Sequence, residues 1–188
     1  MPISVMLKPA SSNCNLACEY CFYHSLSSKR TDFSKGFMSD DTAKRVVDSA
    51  LEFADSTDVY FTFQGGEPLL CSLDFYKNFV SYVKKSNKKG SNVHYCLQTN
   101  STLINDEFAL FFKENGFLIG VSLDGDKEVN KYRIYPNGKS SFDDILKGID
   151  ILKKHNVSFN VLSVLTKNTA LNLSLIHISE PTRRSYIS

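Results

Sequence analysis

The sequence predicts an α/β fold: a partial (β/α) barrel with a parallel sheet of about five strands and helices outside it. Three observations carry this. Short β-rich runs alternate with amphipathic runs from residue 3 to residue 166, the rhythm of strand–helix–strand units. The amphipathic runs carry capping or stop residues at their ends. The polar, glycine- and cysteine-bearing stretches follow the strands, at the ends where such barrels gather their active sites.

The elements follow in order. ISVMLK (3–8) is a short apolar strand, and a cysteine-bearing loop comes after it. SDDTAKRVVDSALEFA (39–54) reads as a helix with Ser39 as its N-cap and Val46, Val47, Ala50, Leu51 and Ala54 on one face. DVYFTFQ (58–64) is β-rich and runs into Gly-Gly. LDFYKNFVSYVKKSNKK (73–89) is an amphipathic helix that ends in lysines before Gly90. NVHYCLQ (92–98) is the third strand. NDEFALFFKENG (105–116) is a helix capped by Asn105 and stopped by Gly116, and FLIGVSL (117–123) is the fourth strand. SFDDILKGIDILKKHN (141–156) opens with Ser141 and Asp144, a pair resembling a capping box, and carries Ile145, Leu146, Ile149 and Leu152 on one side. VSFNVLSVLT (157–166) is the fifth strand. LSLIHISEPTRRSYIS (173–188) breaks the rhythm, because Pro181 and the β-branched residues suit a helix poorly. It resembles translated sequencing adapter. The expected division is therefore residues 1–172 as one structural part and 173–188 as a non-native or divergent tail.

A chain of 188 residues with 42% hydrophobic and 22% charged residues can bury a sizeable core. A net charge of +2 does not point to nucleic acid as the main partner. There is no run of 18 apolar residues, and MPISVMLKPA lacks a signal peptide's basic and apolar regions, so neither a membrane span nor secretion is expected. The expected compartment is the cytoplasm, where clustered cysteines are metal ligands more often than disulfides.

Three of the five cysteines lie within eight residues, Cys14, Cys18 and Cys21, in the spacing C-x3-C-x2-C. Three thiolates cannot pair into disulfides and are one short of a closed tetrahedral site. They would leave one iron of a [4Fe–4S] cluster open for catalysis. The alternative is zinc, with His24 as a fourth ligand, although no second C-x2-C pair is present. Cys71 and Cys96 stand outside the motif and read as small core residues.

This spacing, with Tyr20 before the last cysteine and GGEP at 65–68 after the second strand, resembles the radical S-adenosylmethionine enzymes. The longer strings KPASSNCNLACEYCFYHS, FTFQGGEPLL, QTNSTLI, GVSLDG and LTKNTA are similar to one group of them, the anaerobic sulfatase-maturating enzymes, over roughly residues 3–172. The resemblance makes residues 1–172 the N-terminal part of a radical S-adenosylmethionine core domain. It implies that Cys14, Cys18 and Cys21 ligate the cluster, whose open iron binds the amino and carboxylate groups of S-adenosylmethionine. It also implies cofactor contacts at Tyr20, Gly65, Gly66, Glu67, Ser122 and Arg133. Gly-Gly would let backbone carbonyls reach the ammonium, and Glu67 would add a carboxylate. Arg133 would meet ribose or carboxylate. Tyr23, Gln64, Gln98 and Asn100 would face substrate or cofactor, with ordinary strand-end hydrogen bonding as the alternative.

The implied chemistry begins when the reduced cluster cleaves the cofactor to a 5′-deoxyadenosyl radical. That radical takes a β-hydrogen from a cysteine or serine of a sulfatase polypeptide, which becomes formylglycine. An electron donor such as flavodoxin or ferredoxin is implied. This chain departs from the group's pattern at Ser101, where the group has glycine, and at Asp126, where it has proline. The group's catalytic base and auxiliary clusters fall beyond residue 188. The expectation is a chain that holds a cluster without maturing a sulfatase, with an exposed sheet edge and poor solubility. Two other functions fit the same motifs: another radical peptide-modifying maturase, and a non-catalytic zinc module.

Overall fold

A computed structural model describes residues 1–23, 31–166 and 170. The expected tail, 173–188, and the alternative zinc ligand His24 lie outside the described residues. Five strands form one sheet: β1 (Ile3–Leu7), β2 (Val59–Phe63), β3 (Val93–Thr99), β4 (Leu118–Ser122) and β5 (Ser158–Leu162). They lie side by side in chain order, and every neighbouring pair is parallel. Among the described residues, four α-helices lie between them: α1 (Asp40–Ala54), α2 (Leu73–Ser86), α3 (Asp106–Glu114) and α4 (Phe142–Lys154).

The period-2 alternation of the strands sorts their side chains onto two faces. Val59, Phe61 and Phe63 of β2, Tyr95 and Leu97 of β3, and Ile119 and Val121 of β4 are buried against the helices. The helices meet them with Val47, Ala50 and Leu51 from α1, Phe75, Tyr76 and Phe79 from α2, Phe108 and Phe112 from α3, and Ile145, Ile149 and Leu152 from α4. Aromatic rings fill much of this layer edge to face, with Phe63 5.3 Å from Tyr76 and 5.0 Å from Phe79. The opposite face of the sheet carries Met6, Tyr60, Leu118 and Leu162, all exposed. Among the described residues, β1 and β5 each pair on one side only.

Helix boundaries follow local chemistry. Ser39 caps α1 by accepting from Thr42 N, and Asn105 caps α3 by accepting from Phe108 N. Helix α2 stops at Ser86, three residues short of the lysine run's end. There the Asn87 side chain turns back onto the chain, donating to Ser91 O and accepting from Ser91 N. The capping box expected at Ser141 and Asp144 does not form. Ser141 has helical backbone angles and its hydroxyl donates to Arg133 O at 2.6 Å, while Asp144 accepts from Tyr135 and Lys147. The demands of the preceding loop override the local signal. Strand β5 likewise ends at Leu162 rather than 166, because Ser163 and Val164 turn to bond Leu123 O and the Asp124 carboxylate.

Cys71 is buried, as expected of a core residue. Cys96 is a correction. It is half-buried, on the open face of β3, because alternation places it out of phase with Tyr95 and Leu97.

Candidate functional site

The parallel register brings the C-terminal ends of the strands to one end of the sheet: Leu7 beside Phe63, Phe63 beside Leu97, Thr99 beside Val121, Ser122 beside Leu162. The loop that leaves β1 spreads across this end. Tight turns close at Lys8–Ser11, Ala10–Asn13 and Cys18–Cys21. Main-chain bonds then fasten the loop to its surroundings. Glu67 N donates to Asn13 O at 2.8 Å, Ala17 N to Ile134 O at 2.7 Å, and Glu19 N to Tyr132 O at 3.1 Å. Side chains add to this: Asn100 Nδ2 donates to Asn15 Oδ1 at 2.9 Å, and Asn15 Nδ2 donates to Thr102 Oγ1 at 2.8 Å.

Beneath the loop lies a cavity of about 250 Å³. Cys14, Cys18, Cys21, Tyr20 and Tyr23 line it from the loop, and Gln64, Gly65, Gly66 and Glu67 from the end of β2. Gln98 and Asn100 line it from β3, Ser122 from β4, and Arg133 from the segment beyond. Every site residue expected from the sequence therefore faces one space. Leu16, Phe22, Thr99 and Val164 complete the wall and were not foreseen.

The three cysteines are free thiols. Among the described residues, no three His, Cys, Asp or Glu side chains are gathered closely enough to hold a single metal ion. A cubane asks for something different, one thiolate on each of three separate irons, and three free thiols on one cavity wall supply that donor set. Desolvation pushes the Cys14 thiol up to about 12, although Leu16 N–H, 3.4 Å from the sulfur, pulls the other way. Desolvation also raises Cys18, and the Arg133 charge opposes it. Thiols held protonated in this way become thiolate ligands when a metal displaces the proton.

Glycine is required at position 66, and Gly120 leaves room for a neighbouring side chain. A Cβ on Gly66, whose φ is +53°, would lie 2.1 Å from Asn13 O. A Cβ on Gly120 would lie 2.1 Å from Gln98 Oε1. The bare Gly120 lets Gln98 lie over β4 and donate from Nε2 to Ser122 Oγ at 2.8 Å.

Glu67 behaves differently from the simple expectation. The residue is 1% exposed, and three hydrogen bonds tie its carboxylate to the frame. Oε1 accepts from Leu69 N at 3.0 Å and Thr99 Oγ1 at 2.8 Å, and Oε2 accepts from Asn100 N at 2.8 Å. Burial pushes this carboxyl up to about 7, and the three donors oppose that rise. Arg133 is also gripped from within the chain. Its Nε donates to Asp124 Oδ2 and its Nη2 to Asp124 Oδ1, both at 2.9 Å. The Tyr20 hydroxyl donates to the same Oδ2. Asp124 was missed by the sequence reading. The available signal was an acidic residue in SLDG, two positions past the end of β4. The ring of Tyr23 lies under Lys8 Nζ, 4.9 Å from its centroid, and Gln64 bonds Met6 on the open face.

Among the described residues, no helix is long and apolar enough to cross a membrane. A cysteine-type anaerobic sulfatase-maturating enzyme of Clostridium novyi is 46% identical over 176 residues, which cover 93% of this chain and 47% of the relative. A serine-type enzyme of Bacteroides thetaiotaomicron is 41% identical over 165 residues, covering 87% and 40%. The solved structure described as native anSMEcpe with bound AdoMet superposes with a TM-score of 0.88 at 40% identity, covering 94% of this chain and 48% of that one. A structure of the same protein with AdoMet and the Kp18Cys peptide also gives 0.88, at 39% identity. The chain thus spans about half the length of the curated relatives it matches. The family model for the radical SAM superfamily matches residues 9–170, the stretch that holds the thiols, the Gly-Gly turn and the cavity between them, and the chain belongs to that superfamily.

Proposed function

We propose that this chain provides the cluster- and S-adenosylmethionine-binding part of an anaerobic sulfatase-maturating enzyme, which oxidises a cysteine or serine of a sulfatase to formylglycine. The observation that carries the reading is the cavity itself: three free thiols face a Gly-Gly turn and a Gln98–Ser122 pair across one space. Support comes from the 46% identity to a relative of that name and from the likeness to an AdoMet-bound structure.

Cys14, Cys18 and Cys21 would hold the cluster. When bound, the cluster and S-adenosylmethionine supply one-electron chemistry able to abstract a hydrogen atom. The chain's own residues bind and orient. The Gly65–Gly66 turn offers main-chain carbonyls at the cavity wall. Ser122, oriented by Gln98, offers a hydroxyl, and Tyr20 offers a ring face. Leu16, Phe22 and Val164 form the apolar part of the wall. Tyr23, Gln64 and Asn100 line the same cavity and would meet the peptide or the cofactor. Residues 1–172 make up the core-domain part, and a low-potential protein such as ferredoxin or flavodoxin would supply the electron.

Anaerobic reconstitution with iron and sulfide tests the reading. The expected product is a brown chain with four irons, which binds S-adenosylmethionine and, on reduction with dithionite, releases methionine and 5′-deoxyadenosine. A cysteine-containing sulfatase peptide should bind in fluorescence anisotropy more tightly than its alanine counterpart. A colourless chain loaded with zinc would overturn the cofactor assignment, and equal binding of the two peptides the substrate assignment.

A further inference from the structure

We infer that Asp124 is a positioning residue: its carboxylate ties the cysteine loop to the ends of β4 and β5 and sets Tyr20 and Arg133 in the cavity wall. The function of this latch rests on the S-adenosylmethionine reading above, but its geometry does not.

An ionised carboxylate offers about four acceptor positions. At Asp124 all four are taken. Oδ2 accepts from the Tyr20 hydroxyl and from Arg133 Nε, and Oδ1 accepts from Arg133 Nη2 and from Val164 N at 2.9 Å. Its own N–H donates to Asn130 Oδ1 at 3.1 Å, which fixes the backbone from which the carboxylate projects. The Asp124 side chain is 1% exposed and that of Arg133 8%. No acceptor position of Asp124 remains for a ligand, so its part is to orient others.

Those others face the cavity. The bidentate grip fixes the plane of the Arg133 guanidinium, and with it the direction of the remaining Nη1. The Tyr20 ring lies 5.4 Å from the Arg133 guanidinium carbon, so hydroxyl and ring are both held. Tyr20 stands between Cys18 and Cys21 in the chain. Holding its hydroxyl therefore holds the two thiols on either side. The bonds from Ala17 N and Glu19 N reach the 132–134 segment that also carries Arg133, so loop and latch close on one another.

Tyr20→Phe keeps the ring and removes only the hydroxyl, and Asp124→Asn keeps the shape and removes the charge. The first readout is the labelling of individual thiols in the metal-free chain. In both variants Cys18 and Cys21 should react roughly fivefold faster than in the parent, the scale of one lost hydrogen bond. Buried Cys71 should react at the parent rate, which a general loss of structure would not allow. The second readout is S-adenosylmethionine affinity and the electron paramagnetic resonance spectrum of the reconstituted chain. Tyr20→Phe should keep its iron, bind the cofactor several-fold more weakly and show a smaller cofactor-induced spectral change. Unchanged labelling of Cys18 and Cys21 in Tyr20→Phe overturns the latch, whether or not Asp124→Asn folds. Failure of the parent chain to bind the cofactor overturns only the functional reading, since labelling still decides the latch.

Discussion

Gly66 and Asn13 touch backbone to backbone: a Cβ on Gly66 would sit 2.1 Å from the Asn13 carbonyl oxygen, the atom that accepts from Glu67 N. The second half of the cavity wall is seated directly on the cysteine loop. Gly66→Ala must push that loop away and must also adopt a φ of +53°. The expected cost is about 2–3 kcal/mol in urea unfolding, combined with poor iron loading. Full loading with parent stability would refute the close approach.

Glu67 sets a pH dependence. Its folded carboxyl titrates at about 7 against an ordinary value of 4.5. Between those values the folded chain binds the proton and the unfolded chain does not, so stability falls as pH rises from about 4.5 to about 7, then levels off. The change is on the order of 3 kcal/mol at most. Glu67→Gln should flatten that part of the curve. Chemical denaturation from pH 5 to pH 8 checks it, and a parent curve that rises over this interval contradicts the assignment.

Ser101 occupies a left-handed position, φ +59°, and is completely buried. Its hydroxyl donates to Ile145 O at 3.1 Å, and its own carbonyl packs where Gly148 leaves room. Ser101→Ala keeps the backbone strain and loses the bond, at a cost of about 1 kcal/mol. Ser101→Gly loses the bond but relieves roughly 1 kcal/mol of strain, and should stay near the parent. Equal destabilisation by the two would show that the strain is absent.

The cysteines should separate by role. Alanine at Cys14, Cys18 or Cys21 should abolish stable iron binding with little effect on the apo-protein's melting. Cys71→Ala should keep iron and lose about 1–2 kcal/mol, because it empties core volume. Cys96→Ala, half-buried on the open face, should change neither measurably. Iron counting and thermal melts on the five variants decide the matter.

Much of this was legible in the chain. Alternation in VYFTF and VHYCLQT, with caps at Ser39 and Asn105, marked the strands and helices to within a few residues. The cavity residues were named through the resemblance that the C-x3-C-x2-C and GGEP motifs carry, and parallel strands in register bring the strand-end motifs among them to one end of the sheet. Three kinds of feature were not legible. Asn13 contributes through its carbonyl, a group every residue has, so its side chain signals nothing. Asp124 acts through Arg133 nine positions on and Tyr20 more than a hundred positions back, a separation no local pattern encodes. Ser141 carried a valid local signal, but the Arg133 carbonyl claimed its hydroxyl.

The loop's anchorage to Glu67, Tyr132 and Ile134 runs through amides and carbonyls. Such fastenings are indifferent to which side chains the loop carries. The main-chain part of the anchorage therefore does not depend on outward-facing side chains such as the exposed Phe22, whereas Tyr20 and Asn15 add bonds of their own. A substitution at Phe22 can alter the cavity wall while the backbone fastenings keep the loop, and the sulfurs on it, in place.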